Sequence, residues 1–186
     1  MKLESARSAI VDGRPVQVFD GLLPDPGNYA QALATAPFRR SEQARADTPE
    51  YRHWASETPV DVLARQPIGT ITAQAVMAAT GGARYRPFRA YTNSNAYGDM
   101  LFSHVDCAPD VGDVTALWYL CDRWDFEWGG ETVFFDARQE IAFSVLPRPG
   151  RLVVFDGAIL HCGRPPARIC YGPRFTFAIK YERVAG

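Results

Sequence analysis

A mainly β chain, with a barrel-like core and helices packed outside it, is what three observations on this sequence predict. From Arg84 onward, short runs rich in aromatic and β-branched residues follow one another, several with the two-residue alternation of a strand. Turn signals separate them at Ala96-Tyr97-Gly98-Asp99, Gly129-Gly130, Pro147-Arg148-Pro149-Gly150 and Asp156-Gly157. The three- and four-residue spacing of helices is confined to the first part of the chain. Many short strands at such intervals point to a sandwich or barrel.

The elements follow in order. Val16 to Phe19 reads as a short strand ending at Asp20-Gly21. Leu22-Leu23-Pro24-Asp25-Pro26 leads into a helix through Tyr29, Leu33 and Ala36, where apolar residues recur at helical steps. Residues 40–57 are polar and contain Pro49, which predicts a loop carrying Tyr51, His53 and Trp54. Val60 to Met77 is helical again, with Gly81-Gly82 as its stop. Strands are expected at Tyr85–Asn93, Met100–Val105, Val114–Leu120, Thr132–Phe135, Ile141–Leu146, Leu152–Phe155 and Arg174–Tyr181. The 186 residues suit a single domain, with 1–82 as an N-terminal helical support and 83–186 as the β core.

Composition narrows the function classes. Hydrophobic residues make up 47% and charged residues 22%, ordinary for a soluble globular chain. A formal charge of −1 gives no electrostatic reason to expect nucleic acid or an anionic membrane as partner. No apolar run approaches the roughly 20 residues needed to span a bilayer. The N-terminal segment Met1-Lys2-Leu3-Glu4-Ser5-Ala6-Arg7 lacks the layout of a secretory leader. Cys107, Cys121, Cys162 and Cys170 form no CxxC pair, so free thiols in a reducing cytoplasm are expected.

The chemistry concentrates in Phe102-Ser103-His104-Val105-Asp106 and in Ala158-Ile159-Leu160-His161-Cys162-Gly163. In a strand, residues two apart point to one face, so His104 and Asp106 aim into one space. His161, at the end of a later strand, can converge on them inside a barrel. Two imidazoles and one carboxylate on one side of an ion leave positions open, the ligand set of non-haem Fe(II) oxygenases. Zinc accepts the same donors, so the residues alone do not choose the metal. Cys107 and Cys162 adjoin ligands in sequence and are expected to face away. Arg174 opens the last strand, Arg174-Phe175-Thr176-Phe177-Ala178-Ile179-Lys180-Tyr181, where a guanidinium can pair bidentately with a carboxylate. Arg168 competes for that role from the proline-containing loop after Pro165-Pro166-Ala167.

Taken together, residues Tyr91 to Tyr181 resemble the 2-oxoglutarate- and Fe(II)-dependent oxygenase superfamily, in its prolyl 4-hydroxylase-like branch. The resemblance is carried by His104-Val105-Asp106, Leu117-Trp118-Tyr119-Leu120 with Trp124, Gly129-Gly130-Glu131-Thr132, Pro147-Arg148-Pro149-Gly150-Arg151-Leu152, Phe155-Asp156, His161 and Arg174-Phe175-Thr176. It implies a double-stranded β-helix (jelly-roll, cupin-like) with Fe(II) held by His104, Asp106 and His161. It implies 2-oxoglutarate and dioxygen as co-substrates, with ascorbate as a stimulant. Arg174 would bind the distal carboxylate of 2-oxoglutarate, where part of the branch has lysine, and Tyr119 and Tyr91 would contribute hydroxyls. The shared reaction is oxidative decarboxylation to succinate and CO2 coupled to hydroxylation of a C–H bond. Halogenases of the family lack the carboxylate ligand, so Asp106 argues for hydroxylation.

Substrate contacts are expected from Arg52, His53 and Trp54 in the polar loop, from Asn93, Asn95 and Tyr97 before the HxD pair, and from Trp124, Phe126 and Trp128 before the Gly-Gly turn. Three readings follow: an oxygenase of a free amino acid or small biosynthetic intermediate; a peptidyl or protein hydroxylase; and a cupin-like metal-binding module without oxygenase activity. Oligomeric state is not read from the sequence.

Overall fold

The computed structural model describes residues 3–184, so Met1 and Lys2 of the segment read for a leader lie outside the described residues. The elements run β1 (Arg7–Val11), β2 (Arg14–Phe19), α1 (Pro26–Leu33), β3 (Arg39–Glu42), β4 (His53–Glu57), α2 (Val60–Leu63), α3 (Pro67–Ala79), β5 (Tyr85–Asn95), β6 (Val114–Tyr119), β7 (Thr132–Phe135), β8 (Ile141–Val145), β9 (Arg151–Asp156), β10 (His161–Gly163) and β11 (Arg174–Arg183). An eight-stranded sheet is ordered β1-β2-β9-β6-β11-β5-β4-β3, and a three-stranded sheet β10-β7-β8. The pairings within both are antiparallel.

Alternation along the large sheet builds two cores. One face sends Val16, Val18, Tyr119, Val153 and Phe155 against Phe134 and Val145 of the small sheet, so the two sheets close on each other as a double-stranded β-helix. The other face sends Trp118, Leu152, Phe177 and Ile179 against Leu63, Ile68, Ala75 and Val76 of α2 and α3. Trp118 adds a polar tie, its Nε1 donating to Thr72 Oγ1 at 2.8 Å. The expected helices outside the core are therefore present, and they fix the outer face of β6 and β11. The inner faces of those two strands carry the site.

Several elements differ from the sequence expectation, each for a local reason. The first 82 residues supply four strands as well as the helices. Strand β1 is a largely exposed edge, joined to β2 through Asp12 (φ 48°) and Gly13 (φ 77°). That Asp-Gly pair is the two-residue hairpin turn whose positive φ matches strand twist. Residues 40–57 are not all loop: β3 and β4 lie within or beside them. Their polar sequences become strands because β5 offers an edge, in register Trp54↔Ser94 and Ala55↔Asn93. The expected strand Met100–Val105 reduces to one bridge at His104. The first helix ends at Leu33 rather than Ala36.

The expected helix over Val60–Met77 is broken before Pro67. Gln66 is extended (φ −97°, ψ 144°), as the residue before a proline tends to be. Three residues after Gln66, Gly69 lets α3 approach α2 closely: a Cβ there would sit 2.2 Å from the Leu63 carbonyl oxygen. Helix propensity alone favours Gly69→Ala by about 0.5–1 kcal/mol. The backbone clash opposes it and wins, so Gly69→Ala is expected to destabilise by roughly 1–3 kcal/mol, read as a lowered urea midpoint with unchanged slope.

Candidate active site

His104 and His161 are brought face to face by the backbone. His104 N donates to His161 O at 2.9 Å and His161 N to His104 O at 3.0 Å, a hydrogen-bonded antiparallel pair that places both side chains on one face. Asp106 N donates to Gly157 O at 2.7 Å, which turns the carboxylate into the same space. Gly157 allows this close approach: a Cβ would come within 3.1 Å of Cys107 Sγ and 3.3 Å of Asp106 Cβ. The donor atoms of His104, Asp106 and His161 lie within 4.8 Å of one another.

Hydrogen bonds select the tautomers. His104 Nδ1 lies 3.0 Å from Phe102 O, and His161 Nδ1 lies 2.9 Å from Ile159 O. A carbonyl can only accept, so each Nδ1 carries the proton and each Nε2 lone pair faces the cluster. Burial holds the His161 imidazole down to about 4, neutral and ready to donate an electron pair. Asp106 feels the same burial, which would raise its pKa. Lys180, His161 and His104 outweigh that and hold the carboxyl well below its usual range. Two imidazoles and one carboxylate fit a divalent ion.

The same cavity reaches Arg174. Residues Arg174, Thr176, Ala178 and Lys180 of β11 line it, with Tyr91 and Asn93 of β5, Thr115 and Leu117 of β6, Thr132, Phe155 and Gly163. Arg174 is 2% exposed, and no carboxylate pairs with it among the described residues. Its guanidinium rests on neutral groups: Nε donates to Gly130 O at 2.6 Å, one terminal nitrogen to Thr132 Oγ1 at 3.0 Å, and the other to Thr176 Oγ1 at 3.4 Å. Burial pushes its pKa below the ordinary arginine value. A buried cation without an anion is costly unless a ligand supplies one. Two glycines make room for it, since a Cβ on Gly130 or Gly163 would lie 3.2 Å from its side-chain atoms. Gly163→Ala is accordingly expected to displace the guanidinium and weaken dicarboxylate binding about tenfold, or 1.4 kcal/mol, with metal affinity unchanged in the same titration.

The other expected site residues are distributed unevenly. Tyr91 is buried against the cavity, its ring 4.2 Å from the Arg89 guanidinium carbon. The Tyr119 ring lies 5.3 Å from the Arg174 guanidinium carbon, but its hydroxyl is hydrogen-bonded to Thr132 Oγ1 (2.6 Å) and Val145 O (3.0 Å). It therefore supports Arg174 through Thr132. His53 and Asn93 line the cavity, each with a buried polar atom (Nδ1 and Oδ1) lacking a protein partner. Asn95 is fully buried opposite Arg174 in the β5–β11 register, with both amide atoms unpartnered. Arg52 and Trp54 are exposed, and Trp54 lies on the opposite face of β4 from His53. Tyr97 is exposed. Trp124 and Trp128 pack edge to face and line a separate crevice with Cys121, Cys170 and Phe175, while Phe126 points into solvent. Arg168 is exposed, and the four cysteines are free thiols.

Lys180 and Thr115 were not singled out by the sequence, yet both touch the cluster. Thr115 Oγ1 donates to Asp106 Oδ2 at 2.5 Å, and the Lys180 ammonium bonds the same oxygen. Burial opposes the lysine's charge, but Tyr91 and Asp106 beside it hold its pKa above the ordinary value. The available signal was spacing: Lys180 stands six positions after Arg174, hence on the same strand face.

Residues 90–181, about half the chain, match the family described as the 2OG-Fe(II) oxygenase superfamily. No curated protein matches the chain by sequence. Among solved structures, a 2OG-Fe(II) oxygenase family oxidoreductase from Burkholderia pseudomallei is similar at TM-score 0.67 and 14% identity, over 92% of this chain and 85% of that one. A Pseudomonas putida prolyl-4-hydroxylase aligns at TM-score 0.64 and 19% identity, over 91% and 93%. HygX from Streptomyces hygroscopicus, with nickel and 2-oxoglutarate bound, aligns at TM-score 0.61 and 13% identity, over 91% and 83%. With the family match falling on the residues that build the His104–Asp106–His161 cluster and the Arg174 pocket, the chain belongs to the 2OG-Fe(II) oxygenase superfamily and is a 2-oxoglutarate-dependent Fe(II) oxygenase with a prolyl 4-hydroxylase-like fold.

Proposed function

We propose that the protein hydroxylates an unactivated C–H bond of a small molecule, a free amino acid or a biosynthetic intermediate. In that reaction substrate R–H, 2-oxoglutarate and dioxygen give R–OH, succinate and CO2. The observation that carries the co-substrate assignment is the lone buried guanidinium of Arg174 in the same cavity as the His104–Asp106–His161 cluster. A dicarboxylate can place one end on each.

His104, Asp106 and His161 would hold the iron, which supplies the oxidising chemistry when bound. The chain's own residues do the positioning. Arg174, held by Gly130, Thr132 and Thr176, would take the distal carboxylate as a bidentate partner. Leu117 and Phe155 give the cavity apolar walls that limit water near the reacting centre. His53 Nδ1 and Asn93 Oδ1 supply buried polar atoms at the cavity wall, suited to a compact polar group on the substrate. Such recognition from inside the cavity favours a small molecule over a chain lying across the surface.

A succinate-release assay with Fe(II), ascorbate, 2-oxoglutarate and oxygen, run over free amino acids, small biosynthetic intermediates and proline-containing peptides, tests this. Small-molecule-dependent succinate with a matching hydroxylated product is expected. Turnover confined to the peptides would replace the small-molecule reading with a peptidyl hydroxylase.

A further inference from the structure

The inner face of β11 carries a second buried cation, and besides lining the cavity it touches a metal ligand. Lys180 pairs in register with Thr115 on β6 and with Arg89 on β5. Its ammonium lies 3.2 Å from Thr115 Oγ1 and bonds Asp106 Oδ2. Thr115 Oγ1 donates to the same Oδ2 at 2.5 Å. That oxygen thus receives two donors, which match its two lone pairs. Among the described residues Oδ1 has no hydrogen-bond donor, and it lies 3.5 Å from His104 Nε2.

A carboxylate can give a metal ion one oxygen or two. In a six-coordinate site, three single-atom ligands leave three positions, enough for a chelating keto acid and dioxygen. A two-oxygen carboxylate would leave only two. We propose that Lys180 is a positioning residue which, with Thr115, reserves Oδ2 and leaves Oδ1 as the single oxygen that Asp106 offers to the ion. The inference rests on the metal assignment above and adds to it a reason for the buried lysine. Two of the three ammonium donors are taken by Asp106 and Thr115.

The test uses Mn(II) as the probe ion and water-proton relaxation to count exchangeable waters on it, in the full chain without 2-oxoglutarate. About three are expected in the wild type, and about two in Lys180→Met and in the double variant Lys180→Met/Thr115→Val. Lys180→Arg, which keeps a donor, should restore the higher count. Thr115→Val alone, which leaves the lysine in place, gives a reading if the lysine variants fail to fold, and should shift the count in the same direction. A count unchanged in every variant would overturn the proposal, even if 2-oxoglutarate affinity changed, since that change would then report only the lost charge. Failure of the wild type to bind Mn(II) would instead remove the metal assignment on which the inference stands.

Discussion

Arg174→Met is expected to weaken 2-oxoglutarate binding to the metal-loaded protein by about 30-fold to several thousand-fold, the range for losing one partner of a buried charge pair worth about 2–5 kcal/mol. Metal affinity should stay within about twofold, because the guanidinium contacts Gly130, Thr132 and Thr176 and none of the three ligands. The same change should leave the ligand-free protein as stable as the wild type, or more stable. Its cation is buried on neutral acceptors, and an apolar side chain of similar length removes that desolvation cost. Opposite signs for stability and binding mark a residue kept for its ligand. Isothermal titration with 2-oxoglutarate, beside urea unfolding of the ligand-free chain, reads both. A loss of affinity below about tenfold, less than one buried charge-assisted pair, would move the anchor away from Arg174.

Much of this site is legible in sequence because its chemistry is sparse and its strands are strongly patterned. His104, Asp106, His161 and Arg174 stand out by residue type, and their strands from Tyr85 onward are marked by alternation and by glycine or proline turns. The final strand shows why the rest was harder. Arg174 and Lys180 share one face of β11, but a lysine near a strand end usually faces solvent, and only the closure of the sheets buries this one. Edge strands β1 and β3, and β4 beside β3, take their strand conformation from a partner. Propensity yields to pairing there. The reverse holds for Met100–Val105, whose apolar content suggested a strand although only His104 finds a partner. The residues expected to contact substrate were separable only by side: His53 and Trp54 are adjacent in sequence, and β4 sends one to the cavity and the other to solvent.

Asp106→Ala is expected to abolish metal binding and also to lower the stability of the metal-free chain by about 3–5 kcal/mol, because it strands the buried Lys180 ammonium. These two effects have different origins, and a second substitution separates them. Lys180→Met in the Asp106→Ala background removes the stranded cation, so the double variant should recover most of the lost stability and none of the metal affinity. The non-additivity, up to about 3 kcal/mol for residues in direct contact, is the coupling between Lys180 and Asp106. Urea unfolding of the four proteins gives the stability cycle, and Mn(II) titration gives the binding column. If Asp106→Ala and Lys180→Met were additive in stability, the pair would not act as a unit, and the lysine would have to be held by Tyr91 and Thr115 instead. If the double variant regained metal, the carboxylate would not be a ligand. The expected pattern, stability restored and metal still absent, assigns the carboxylate two partners at once: one oxygen for the buried lysine and the other for the ion.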